Sequence, residues 1–178
     1  MNEIKDDLDV DINPTSQGEH VPEAKRNNQK IGERIRTTYH NLPYNKLPRI
    51  MLKHLAMTSA QQLNLFPAKG GILEYLSPHM IMMRRKIDYN KHCQFTFGTC
   101  VQAYQENNLT NTQAPRTIDA IYLRLITNEQ GGHELMNLAT GNIIKRIKIW
   151  EIPTTELIIK AVDEIAEKQD ITSLKTMG

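Results

Sequence analysis

The chain reads as an α+β fold, with two long helices, a small antiparallel β-barrel of four or five short strands and a closing helix. Three observations predict it. Up to about residue 83 apolar side chains recur at helical spacing; from about 95 they fall into short β-branched and aromatic runs broken by Gly and Asn; from about 155 the helical period returns. The resulting division is a lead over 1–20, a helical part over 21–90, a barrel over 91–153 and a helix with its tail over 154–178.

The lead carries Glu3, Asp6, Asp7, Asp9, Asp11 and Glu19 against Lys5, with Asn13, Pro14, Ser16 and Gly18 and no hydrophobic period. It is expected to be disordered. From Val21 or Pro22 to about Asn41 no internal proline intervenes and a helix is predicted, weakened by Asn27, Asn28 and Gly32. Val21, Ala24, Ile31, Ile35 and Tyr39 give it a thin apolar stripe, so it docks on a larger body and leaves a cationic face in water. Pro43 and Pro48 bracket a turn, because the residue before each proline is pushed out of the helical region.

A second, more buried helix follows over 49–66 on Ile50, Met51, Leu52, Leu55, Met57, Leu63 and Leu65, and stops at Pro67 and Gly70-Gly71. Ser77-Pro78 has the form of a cap with proline at the first helical position and predicts a short helix over 78–83, with Met80, Met82 and Met83 filling core gaps. Strands are expected over 95–105, 118–126, 132–138 and 143–150, with Thr140-Gly141-Asn142 as a hairpin turn. Thr154 or Thr155 can cap the last helix, whose apolar face is Leu157, Ile158, Ala161, Val162 and Ile165.

A net charge of +2 conceals a sharp split along the chain. Between residues 25 and 53, Lys25, Arg26, Lys30, Arg34, Arg36, Lys46, Arg49 and Lys53 face a single acid, Glu33. These eight cations are the candidate contacts to DNA or RNA phosphates, weighed against a solvated helix face. Arg84, Arg85 and Lys86 before the barrel belong to the same argument, whereas Lys145, Arg146 and Lys148 within it serve solubility. Tyr39, Tyr44, Tyr89, Tyr104, Tyr122 and Trp150 are read as core or rim packing in preference to base stacking.

Other chemistries find no support in the residues. Cys93 and Cys100 stand six residues apart, which matches no zinc or redox motif, and both read as small packed hydrophobes. The histidines are scattered, Gly131-Gly132 lacks a P-loop context, and no serine sits in a nucleophile motif. No apolar run is long enough to span a bilayer, and the acidic N-terminus lacks a secretory signal. The expected compartment is intracellular, cytoplasm or nucleus.

Taken in order, KRNNQKIGERIRTTYHNLPYNKLPRIM, LNLFPAKGG, LSPHMIM, IDYNKHC, FGTCVQAY, AIYL, NEQGG, LATGNIIKR and WEIP resemble the Pol polyprotein of copia-type LTR retrotransposons. The resemblance covers about residues 21–165, the end of an integrase catalytic core with a ribonuclease-H-like fold and the Src-homology-3-like barrel that follows it. It implies a parent enzyme in which two aspartates and a glutamate hold magnesium ions for phosphodiester chemistry. It also implies nucleic acid and other integrase or Pol domains as partners.

The family's E-R-x-x-R-x-x-x-E-x-x-R pattern falls here on Lys25, Arg26, Gln29, Glu33 and Arg36. Lys25 thus stands in the glutamate position, where a positive charge repels a metal ion. Neither aspartate has a counterpart, and Arg124-Leu125 occupies a place where the family turns on Gly-Pro. Gln62 stands where the family commonly has tryptophan.

The reading that follows assigns no catalytic residue, no metal ligand and no cofactor to this chain. It is a non-catalytic piece of an integrase polyprotein that retains nucleic-acid binding, with exposed apolar faces that favour self-association and no membrane contact. The alternative is a structural or protein-interaction module, or the product of a decayed element without a selected function.

Overall fold

The computed structural model describes residues 21–67, 73, 75–105, 116–126 and 131–169. The acidic lead, the Gly70-Gly71 turn and the tail beyond 169 lie outside them. Helices α1 (Pro22–Asn41) and α2 (Arg49–Leu65) come first, then the short α3 (Pro78–Met83) and the single turn α4 (Tyr89–His92). Strands β1 (Cys100–Tyr104), β2 (Thr117–Leu125), β3 (His133–Asn137), β4 (Ile143–Arg146) and β5 (Ile149–Glu151) precede the closing helix α5 (Glu156–Glu167). Mixed helix and antiparallel sheet is therefore the architecture, as the periodicity predicts.

α1 begins on Pro22, whose fixed φ suits the first helical position. Its stripe tightens along its length: Val21 and Ala24 are exposed, Ile31 and Ile35 half-buried, Tyr39 buried. The helix thus leans on α2 only through its second half. The turn that follows is more than a connection. Leu42, Tyr44, Leu47 and Pro48 are all buried, and the Tyr44 hydroxyl donates to the Gly98 carbonyl at 2.8 Å. Asp163 of α5 accepts from the Asn45 and Lys46 backbone amides at 3.1 and 3.0 Å and from the Asn45 side-chain amide at 2.9 Å. Leu42, Tyr44 and Leu47, set around two prolines, therefore become a plug held on both sides.

The five strands form one antiparallel sheet in the order β4-β3-β2-β1-β5. β4 and β5 are adjacent in sequence yet lie at opposite ends of this order. A flat sheet would hold its edges about 19 Å apart, whereas the three peptide units from Arg146 to Ile149 span at most about 11 Å. The sheet must roll until its edges approach. Arg146 Nε donates to the Tyr104 carbonyl at 2.9 Å, which ties the end of β4 to the end of β1, and the Tyr104 amide donates to the Lys148 carbonyl at 3.3 Å, which extends the β1–β5 pairing. This corrects two expectations. The single strand over 143–150 is two strands, because one straight segment cannot pair with both β3 and β1. Arg146 ties β4 to β1 instead of serving only solubility.

Rolling gives the sheet two apolar faces. Val101, Ala103, Ala120, Tyr122 and Leu135 pack together with Phe95, Ile118, Ile144 and Ile149 on one. Cys100, Ile121, Leu123 and Met136 pack on the other against Met51 and Leu55 of α2, the Tyr44 turn, and Ile158 and Val162 of α5. The helical part, the sheet and the last helix thus share one core.

Strict alternation along β2 fails at one place. Tyr122 opposes Leu135, but Arg124 opposes Glu134, so the register slips by one residue between them. A β-bulge of this kind turns two successive side chains to the same side. Leu123 joins the helix-side core and Arg124 follows it to the same side, where it meets Glu134. Arg124 and Leu125, where the resemblance implies a turn, lie inside a strand.

Several smaller expectations are also corrected. Met82 and Met83 are 81% and 56% exposed, because α3 ends at Arg84 in the left-handed region (φ 52°) and buries none of its own residues. Ser77 Oγ accepts the Met80 amide at 3.2 Å as its sequence predicts. The strand expected from 95 begins at Cys100, so Cys93 is exposed while Cys100 is buried. Trp150 is 53% exposed, at the rim. Thr155 occupies the cap position of α5 without a side-chain cap bond, and Leu157 is 78% exposed because Ile158, Val162 and Ala166 define the inward face.

Two glycines test this account with opposite signs. At Gly32, inside α1, an added Cβ meets no atom within 4 Å, so Gly32→Ala should stabilise by about 0.5–1 kcal/mol through helix propensity. At Gly98, φ is +86° and an added Cβ would lie 2.3 Å from Leu42 Cδ2, so Gly98→Ala should destabilise by about 2 kcal/mol. Urea unfolding of both variants checks the pair; equal shifts of one sign would contradict it.

Candidate nucleic-acid interface

The structure sorts the eight candidate cations into three settings. Lys25, Arg26, Lys30, Arg34 and Arg36 are all exposed on α1. At 100° per residue Arg26, Lys30, Arg34 and Arg36 spread over the half of the helix opposite Ile31, Ile35 and Tyr39, with Arg26, Lys30 and Arg34 stacked one turn apart, while Lys25 lies at the border of the apolar stripe. Glu33 is the single acid among them, and its carboxylate accepts from Gln29 Nε2 at 3.0 Å. Lys46 is withdrawn from this group: its Nζ lies 2.9 Å from the Glu167 carboxylate of α5. Arg49 and Lys53 are exposed one turn apart on the outer side of α2, away from the α1 row.

Elsewhere the positive charges have structural tasks. Glu134, with a side chain 8% exposed, is held by Arg124 Nε, with Lys145 Nζ at 3.6 Å and His54 Nδ1 at 3.7 Å. Burial opposes the ionisation of Glu134, but the Arg124 hydrogen bond and charge, with His54 and Lys145, outweigh it and keep the carboxyl below its ordinary range. Burial pushes His54 the other way, toward its neutral form; Glu134 resists this, while Arg124 and Lys53 reinforce it. His54 Nδ1 makes no hydrogen bond. The cluster follows directly from the bulge, since without the slip Arg124 would point into the other face of the sheet.

Between the α1 row and α2 the surface opens into connected cavities. One, of about 710 Å³, is lined by Lys30, Glu33, Arg34 and Thr37 of α1 and by Phe66 after α2. A second, of about 470 Å³, continues from Thr38 and Gln62 over Leu42, Leu55 and Phe97 to Thr99. The sequence reading missed this groove, because its walls come from four separate segments of the chain, in α1, in α2, before β1 and after β5. The only hint was the polar run Thr58, Ser59, Gln61 and Gln62 within an otherwise apolar helix.

The magnesium site that the resemblance implies is not supplied by these residues. Lys25 stands exposed in the first turns of α1, with its amide bonded to the Val21 carbonyl. Among the described residues no group of three His, Cys, Asp or Glu side chains converges. Nor is any helix among them long and apolar enough to cross a membrane. No family model, curated protein or solved structure matches the chain.

The buried cluster makes two predictions. Arg124→Met should cost about 2 kcal/mol, less than the roughly 3–5 for breaking a buried pair because Lys145 remains near Glu134. Replacing both Arg124 and Glu134 with apolar residues should recover most of it in urea unfolding. For His54 the folded state favours the neutral ring, so the unfolded chain takes up the proton first. Its contribution is complete above the ordinary value of 6.5 and is lost as the pH falls below it. His54→Asn should flatten the stability curve on the acid side of 6.5, while Glu134 keeps its own decline below 4.5.

Proposed function

We propose that this chain is a nucleic-acid-binding portion of an integrase-type Pol polyprotein of the copia class, contributing DNA contacts and domain contacts but no strand-transfer chemistry of its own. In this reading α1 and α2 are the last helices of a ribonuclease-H-like core. The five-stranded antiparallel sheet, in the order β4-β3-β2-β1-β5, is then the Src-homology-3-like barrel, and α5 leads away from it. The observation that carries the reading is the exposed row Lys25, Arg26, Lys30, Arg34 and Arg36, with one acid among five cations. Lys25 in the metal-holding position supports binding over catalysis, since an ammonium there disfavours a divalent ion.

The interaction-module reading is favoured by other residues. Tyr75, Met82 and Leu157 are each about four-fifths exposed, apolar surface that a protein partner would cover. Both readings meet in one measurement, duplex DNA binding by the full chain across a salt series.

Each phosphate neutralised contributes about 0.9 to the log–log salt slope, so the α1 row predicts a slope of about −4.5. The double variant Lys30→Gln and Arg34→Gln should bind more weakly and with a slope shallower by about 2. Affinity no greater than that of an unrelated protein of equal charge would leave the interaction module standing alone.

A further inference from the structure

Three cavities meet at one side chain. Gln62 lines the cationic lobe with Lys30 and Arg34, the hydroxyl-lined lobe that runs to Thr99, and a smaller recess of about 210 Å³ behind Phe97. Its neighbours on α2 are committed to the sheet: Thr58 Oγ1 donates to the Leu123 carbonyl at 3.0 Å and Gln61 Nε2 to the Leu125 carbonyl at 3.3 Å. The Gln62 amide, half-buried, makes no hydrogen bond among the described residues. It is thus a donor and an acceptor facing the junction of a groove.

The two main lobes differ in chemistry in a way that selects a ligand. Lys30 and Arg34 give the first a charge of +2, offset in part by Glu33, which suits an anionic group such as a phosphate. The second carries one acid, Glu151, and no cation. Its floor is apolar, with Leu55 and Phe97 buried, and its rim carries Thr38 and Thr99 hydroxyls, with the Ser59 hydroxyl buried below. A flat ring with a polar edge fits such a floor and rim, and an amide satisfies the donor–acceptor edge of any base. Arg34 and Thr38 are one helical turn apart, about 6 Å along α1, within the span of a single nucleotide. A base paired and stacked in a duplex cannot enter a recess between two helices; an unpaired base can.

We propose that this groove receives one unpaired nucleotide of a single strand beside a duplex, with its phosphate on Lys30 and Arg34 and its base against Gln62 and Phe97. This rests on the nucleic-acid reading above and names the part of the ligand that the groove takes. The α1 row tracks the duplex, and the groove reads the strand where pairing ends.

The test measures, with the full chain, the affinity for a blunt DNA duplex and for the same duplex carrying a short single-stranded overhang, and takes the ratio. The overhang should bind about tenfold more tightly, within the range one held base contributes. Gln62→Trp, which fills the junction, should bring the ratio to one. Gln62→Leu, which keeps the volume but removes the amide, should reduce it even if the tryptophan variant does not fold. Equal binding of blunt and overhanging duplex, or a ratio that survives in a folded Gln62 variant, would overturn the proposal while leaving duplex binding intact. Failure to bind either DNA would overturn the nucleic-acid reading with it.

Discussion

The architecture depends on the way α2 holds β2 at its bulge. A register slip leaves strand carbonyls and a turned side chain that need new partners, and α2 supplies them within two helical turns. Thr58 and Gln61 take the Leu123 and Leu125 carbonyls, and His54 lies beside the Glu134 carboxylate that Arg124 holds. Each of these bonds is modest alone, near about 1 kcal/mol net, but leaving a buried carbonyl or carboxylate without a partner would cost more. The helix and the strand therefore position one another. Met51 and Leu55 on the same side of α2 complete the contact by apolar burial. Because α1 rests on α2 and not on the sheet, the direction of the cationic row is set at second hand by this same junction.

The Tyr44 turn and α5 secure the opposite end. Tyr44 reaches Gly98 at the start of the sheet and lies 3.4 Å from Cys100 Sγ, while Asp163 takes the backbone of the turn from the other side. Burial and these neighbours raise the Tyr44 hydroxyl far above its ordinary range, so it stays a neutral donor at every physiological pH. Residues more than a hundred positions apart in the chain thus meet in one core. The boundary that composition suggests near residue 90 marks a change of secondary structure without a break in packing.

The legible features were those decided locally. The prolines at 22, 43, 48 and 78 and the apolar period placed α1, α2 and α3 within a residue or so, and Gly141, at φ 70°, turned the hairpin where Thr140-Gly141-Asn142 predicts. What escaped was decided at a distance. The β4–β5 break follows from sheet closure, the Arg124 position from a register slip, and the Lys46 pairing from an acid on α5. The same holds for the candidate site. Its cations were plain in the sequence, but which of them are free to meet an anion depends on tertiary partners, and the groove beside them exists only once α1, α2 and the approach to β1 are assembled.

The local energetics of α1 argue that its charge row has a use beyond holding the helix. Arg26, Lys30 and Arg34 stand four residues apart, and like charges at this spacing oppose helix formation by about 0.2–0.5 kcal/mol per pair. Lys25 lies at the end of the first turn, where the helix dipole disfavours a cation by about 0.3–1 kcal/mol. The first half of the helix gains little from burial to compensate, since its stripe is exposed as far as Ala24 and only half-buried at Ile31. A solvated face chosen only for solubility would mix signs, as α5 does with Lys160, Asp163, Glu164 and Glu167. A polyanion laid along α1 removes the repulsion and the dipole penalty together, so binding would draw on strain the free helix already carries.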